Sequence, residues 1–200
     1  MVELLTVGHG TAAATELGTA LAAAQVQALV DIRIAPGSRR SPHLARDRLS
    51  EWLPPYGVDY RWDRRLGGFR KLPSDSPDIA LRNTSFRAYA AWMRDSEFAT
   101  AIDELLAGAA GTRTAVMCSE TVWWRCHRRL VADFVTIVRG GTVQHLLAGR
   151  LQPHRVTAGA RPFGEPDVDY LPPGCGHLEM ASDYRPGRPE CGATVGQLLK

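Results

Sequence analysis

A chain of 200 residues with 44% apolar and 22% charged side chains suffices for one ordinary core, and no apolar run approaches the roughly 18 residues that cross a membrane. The formal charge is only +3, but it is unevenly spread along the chain. The start, Met1-Val2-Glu3-Leu4-Leu5, lacks the basic and apolar regions of a signal peptide, so a cytoplasmic location is expected, and four cysteines in two distant pairs (118 and 126, 175 and 191) argue against a disulfide framework.

Residues 3–7 form a short apolar run that stops at Gly8-His9-Gly10, as a buried strand entering a loop does. An Ala-rich helix follows to about residue 24, with Thr11 or Thr15 as its cap. Residues 28–34 read as a second buried strand, ended by Pro36-Gly37-Ser38. A helix over 42–53 stops before Pro54-Pro55, and 57–62 makes a third strand. Residues 66–83, with paired glycines and several prolines, make a long loop of the kind that is functional or mobile.

Helical spacing returns over 84–93 and 97–106, followed by a strand at 113–117, a helix at 123–138 and a strand at 142–147. Alternating strands and helices predict an α/β fold with a largely parallel sheet flanked by helices. The expected organisation is a single domain over 1–150, carrying the polar site, and an irregular C-terminal extension over 151–200.

In open α/β sheets, ligands collect beyond the carboxyl ends of the strands. His9, Asp31 with Arg33, Cys118 with Glu120, and His145 all stand at or just after such ends, and would converge on one edge. Glu120, Asp31, His127, His9 and Cys118 are the candidate catalytic groups. The carboxylates and imidazoles suit acid–base work, and Cys118, ahead of a helix start, suits a nucleophilic thiolate. Arg33, Ser38, Arg39, Arg87, Arg128 and His145 are the candidate anion ligands. Cys126 shares a helical spacing with Leu130, Phe134 and Ile137, which favours a core thiol.

No cofactor is expected. Zinc or another metal stays open at Cys118, Cys126, His127 and His9, although neighbours 126 and 127 on a continuous helix would point apart. Cys175, His177 and Cys191 form an incomplete zinc-type set in the tail. Between Arg33 and Lys71, ten basic residues outnumber four acids, with Trp52, Tyr56, Tyr60, Trp62 and Phe69 among them. Charge with interleaved rings suits a nucleic acid or a phosphate-bearing small molecule, although a solvated face in an Arg-rich chain is the simpler account.

Thr6-Val7-Gly8-His9, Leu29-Val30-Asp31-Ile32-Arg33, Pro36-Gly37-Ser38-Arg39 and Leu66-Gly67-Gly68 belong to a longer pattern. It continues through Phe86-Arg87-Ala88-Tyr89, Met93, Met117-Cys118-Ser119-Glu120, Cys126-His127-Arg128, His145, Pro153-His154, Ala160-Arg161 and Tyr170. In these residues the chain resembles, over about 4–172, the bacterial and archaeal family known as domain of unknown function 488. Trp123 departs from the proline expected ahead of Cys-His-Arg, and residues from Gly174 onward fall outside the pattern. The resemblance implies an α/β fold and a shared polar site, and brings no reaction with it.

Three readings follow from the residues. The first is an enzyme directed at nucleic acid or a nucleotide, of a hydrolytic or base-excision repair type. The second is a cysteine-dependent enzyme or redox sensor using Cys118, with Cys126 as resolving thiol. The third is a non-catalytic anion- or nucleic-acid-binding module. The sequence specifies no oligomeric state.

Overall fold

Strand β1 (Glu3–Gly8) is the element around which the chain is wound. The computed structural model describes residues 1–172 apart from 38, 40 and 164–166. After helix α1 (Ala14–Ala23), strand β2 (Ala28–Asp31) is laid two places from β1, and β3 (Asp59–Trp62) forms the edge beside it. Strand β4 (Thr114–Cys118) fills the gap between β2 and β1, all five of its residues buried. Strand β5 (Thr142–Leu147) pairs parallel on the other side of β1, and β6 (Arg150–Pro153) returns antiparallel at the far edge. The result is one domain with a mostly parallel six-stranded sheet, order β3-β2-β4-β1-β5-β6.

Side-chain alternation along these strands divides the core in two. Leu5, Val7, Leu29, Met117 and Leu146 face α1 and α2 (Arg46–Trp52). Leu4, Val30, Val116, Cys118 and Val143 face the layer of α3 (Thr84–Trp92), α4 (Ser96–Ala109) and α5 (Arg128–Ile137). Asn83 and Asp95 cap α3 and α4, their side chains accepting from backbone N–H groups of the first turn. Neither Thr11 nor Thr15 caps α1. Its first turn is held by Glu16, whose carboxylate accepts from the Ala13 N–H at 2.8 Å.

Two predicted helices prove to be composite. Residues 42–53 divide into a 3-10 turn at Pro42–Leu44 and then α2. Residues 123–138 divide into a 3-10 turn at Trp123–Arg125, an extended residue at Cys126 (φ −122°, ψ 151°) and then α5. The chain beyond Arg150 adds β6 and a hairpin of β7 (Ala160–Phe163) and β8 (Asp167–Tyr170). Val168 and Tyr170 of that hairpin are buried in the core beneath α3 and α5. No helix among the described residues is long and apolar enough to cross a membrane.

Candidate functional site

The register brings the carboxyl ends of four strands level: Gly8 lies opposite Cys118, Asp31 opposite Met117 and Trp62, and Thr6 opposite His145. The candidate residues nevertheless form two clusters rather than one. Asp31 and His9 have the parity of Met117 and Val7 and turn toward α1 and α2; Cys118, Thr6 and His145 turn to the other side. Two surface cavities lie elsewhere, one beside Tyr56 and Arg113, the other along Arg70 and Trp92.

On the first side Asp31 is wholly buried and fully engaged. Arg33 grips it with Nε at 2.9 Å and Nη2 at 2.6 Å, the Arg33 N–H donates at 3.0 Å, and the Tyr60 hydroxyl donates at 2.9 Å. Nη2 also donates to the Leu44 carbonyl at 2.9 Å, and Nη1 faces His9 Nε2 at 3.1 Å. A guanidinium only donates, so Nε2 of His9 is the acceptor and its proton sits on Nδ1, 3.0 Å from the Gly10 carbonyl. Burial, then the Arg33 charge, lowers His9 from its ordinary value to about 4. All three nitrogens of Arg33 are thus directed at protein groups. The cluster is a closed support beneath the loop after β2, from which Arg39 projects into solvent. Ser38 lies outside the described residues.

On the second side, Cys118 Sγ and Cys126 Sγ each lie 3.7 Å from His127 Nδ1, and the three atoms all fall within 4.8 Å of one another. The break in the predicted helix makes this possible. Cys126 is extended and His127 begins the helical turn, so adjacent side chains converge where a continuous helix would splay them. His127 is wedged against Tyr89 (ring centroids 4.9 Å apart) and Gly68, and its Nε2 is buried with no hydrogen-bond partner among the described residues. The hydrogen bond to Cys126, then burial, pushes the Cys118 thiol up to about 12. Burial works in the same direction on Cys126, but its bond from Cys118 and the Arg128 guanidinium outweigh it and bring that thiol down to about 6.

Arg128 is buried and spans the cluster. Nε donates to Cys126 Sγ at 3.4 Å, Nη1 to Thr6 Oγ1 at 3.4 Å, and Nη2 to the carbonyls of Glu120 and Thr121. From Thr6 the polar contacts continue away from the sulfurs. Thr6 Oγ1 is 2.6 Å from His145 Nδ1, His145 Nε2 is 3.0 Å from His154 Nδ1, and His154 Nε2 is 2.9 Å from Asp133 Oδ1. Asp133 also accepts from the Thr157 N–H and the Tyr170 hydroxyl. With neutral rings only one assignment satisfies every link: each group donates toward Asp133. Trp123 stacks on His145 with centroids 4.1 Å apart, and burial, then His154, lowers His145 to about 3.

Sequence reasoning placed His145 among the anion ligands; in the structure both of its nitrogens face protein groups. Thr6, Asp133 and Trp123 were missed as site residues, and His154 entered only as part of the family pattern. The signal for the relay lay in the Ala148-Gly149 turn, which joins β5 to β6 and sets His154 beside His145. Glu120 is exposed, and its carboxylate has no partner among the described residues. Arg87 lies apart, donating to the Ser76 carbonyl in the long loop.

A scan against protein-family models matches residues 13–135 to the family described as Domain of unknown function DUF488. No curated protein and no solved structure matches the chain.

Proposed function

The chain belongs to the DUF488 family, whose model covers more than half of it, and from the geometry of its strand ends we propose that it is an enzyme acting on nucleic acid or a nucleotide. One observation carries this reading: an exposed ring follows directly on the glycine that touches His127, with further exposed rings and cations in the segments that follow the strands. Phe69 is 95% exposed and held at φ +52°, directly after the Gly68 that touches His127. Trp124 is 45% exposed in the turn leading to Cys126. Arg39, Arg64 and Arg125, in the segments after β2, β3 and β4, and Arg46 at the start of α2 are exposed. An exposed Phe at positive φ is unfavourable for folding on both counts and suits a stacking platform.

In this reading the cations hold phosphates, Phe69 and Trp124 receive bases, and Glu120 serves as the solvent-facing acid or base. His127 is the imidazole of the thiol cluster, while Asp31 and His9 act through the support under the loop. Hydrolysis or base excision is the reaction class, in a cytoplasmic setting that keeps the thiols reduced. The test is anisotropy of the full chain with short single-stranded DNA and RNA between about 50 and 200 mM salt. Binding should weaken steeply with salt, and Phe69→Ala should lose roughly 5- to 100-fold in affinity. Absence of salt-sensitive binding to every probe rejects the reading.

The convergence of the two thiols on one imidazole supports a second reading, a thiol-dependent site using Cys118 with Cys126 as its partner. Alkylation rates from pH 5 to 9 for wild type and Cys126→Ser separate the two readings. The same donor set is also of the kind that holds zinc.

A further inference from the structure

We propose that Cys118, Cys126 and His127 form a three-ligand zinc centre with one open coordination position, through Sγ, Sγ and Nδ1. The argument is metrical. A tetrahedral zinc with bonds of about 2.3 Å to sulfur and about 2.05 Å to nitrogen sets its sulfur and nitrogen ligands about 3.6 Å apart. Both sulfur–nitrogen separations here are 3.7 Å. A hydrogen bond accounts for this poorly, because Nδ1 has a single in-plane direction and can serve one sulfur at a time. Equal separations to both sulfurs are what a shared ion produces.

The positions are also those a metal centre requires. Cys118 ends a central strand, and Cys126 and His127 lead directly into α5, so a strand and a helix anchor the three ligands. Two thiolates and a neutral imidazole balance the charge of the ion. Arg128 Nε, 3.4 Å from Cys126 Sγ, is the outer contact that orients a ligand. On the remaining side Gly68 leaves room, since a Cβ there would stand 3.1 Å from Nδ1. Among the described residues no fourth protein ligand joins the group. Three protein ligands with an open fourth position is the pattern of catalytic zinc, where a bound water becomes acidic enough to attack near neutral pH. Glu120, two residues after Cys118, and Phe69, next to Gly68, are both exposed. The inference does not depend on nucleic acid being the substrate.

The test is zinc content of the full chain after reconstitution and removal of free metal, with cobalt substitution read by its thiolate charge-transfer absorption. About one zinc per chain is expected, and Cys118→Ser and His127→Ala should each weaken retention by at least about 100-fold. Gly68→Val, which keeps every ligand, should weaken it about tenfold with unchanged circular dichroism, so the result does not hinge on a variant that fails to fold. Cys175→Ser with Cys191→Ser should leave retention unchanged. The proposal is overturned if the wild type holds no zinc, if Cys118→Ser keeps it, or if the tail variant loses it. A Cys118–Cys126 disulfide isolated from protein that refuses zinc overturns it as well, and assigns the pair to thiol exchange. Nucleic-acid binding is measured separately, so failure of one idea leaves the other standing.

Discussion

Arg33 illustrates how much of this site is support rather than chemistry. Its removal would leave Asp31, wholly buried, with a hydroxyl and an N–H as its remaining partners. Arg33→Ala is therefore expected to lose about 3–5 kcal/mol, read from urea unfolding. The buried imidazoles give a second expectation at this scale. Above the ordinary histidine value of 6.5 neither folded nor unfolded chain protonates them. Below it the unfolded chain takes up protons that the fold refuses at His9, down to about 4, and at His145, down to about 3. Stability should fall across that window by up to roughly 1.4 kcal/mol per pH unit for each histidine, then level off. Urea midpoints at pH 7, 6 and 5 check this, and His9→Gln should flatten the slope. Residue type marked the candidates in the sequence, but not their exposure. Glu120 lies open to solvent, whereas Arg33 and Arg128 are enclosed, in part by the Leu44 carbonyl and the Thr6 hydroxyl, partners that no local pattern contains.

At the scale of elements, Gly8 is the residue that lets strand and helix meet. A Cβ there would overlap the Glu120 carbonyl and the Arg128 guanidinium, and the carbonyl, being backbone, cannot move aside. Gly8→Ala is expected to cost about 1–3 kcal/mol and to displace Arg128 from Cys126, visible as a raised Cys126 pKa in alkylation rates. The parallel sheet was legible because its strands are nearly continuous apolar runs, such as the one ending at Cys118. The convergence of all polar strand ends was expected from topology alone. Period two then sent Asp31 and Cys118 to opposite faces, a consequence of register that only strand pairing reveals. The 123–138 helix was read through its break because Trp123, Trp124 and Arg125 keep helical spacing in a 3-10 turn. That break is what gathers Cys126 and His127.

Across the whole molecule, Asp78 fastens the long loop to the chain's last described strand. It is wholly buried, takes two bonds from Arg94 at 2.7 and 2.9 Å, and accepts from the Tyr170 N–H at 3.3 Å and the Ser76 hydroxyl at 3.2 Å. Asp78→Ala should cost about 3–5 kcal/mol and speed hydrogen exchange over 150–172 before the central sheet is affected. Composition marked the region beyond 150 as irregular because Pro, Gly and isolated charges dominate it. Its order comes from long-range partners, Asp78 and Asp133, that no window of sequence contains. The relay to Asp133 also bears on the outer margin of the sheet. An antiparallel strand such as β6 can slide along its neighbour by two residues and keep its ladder. Here that slide would carry His154 about 7 Å past His145 and take from Asp133 its imidazole partner. The helix layer thus reaches across to the outermost strand as a key in a keyway, admitting a single alignment of the margin where sheets are otherwise freest to err.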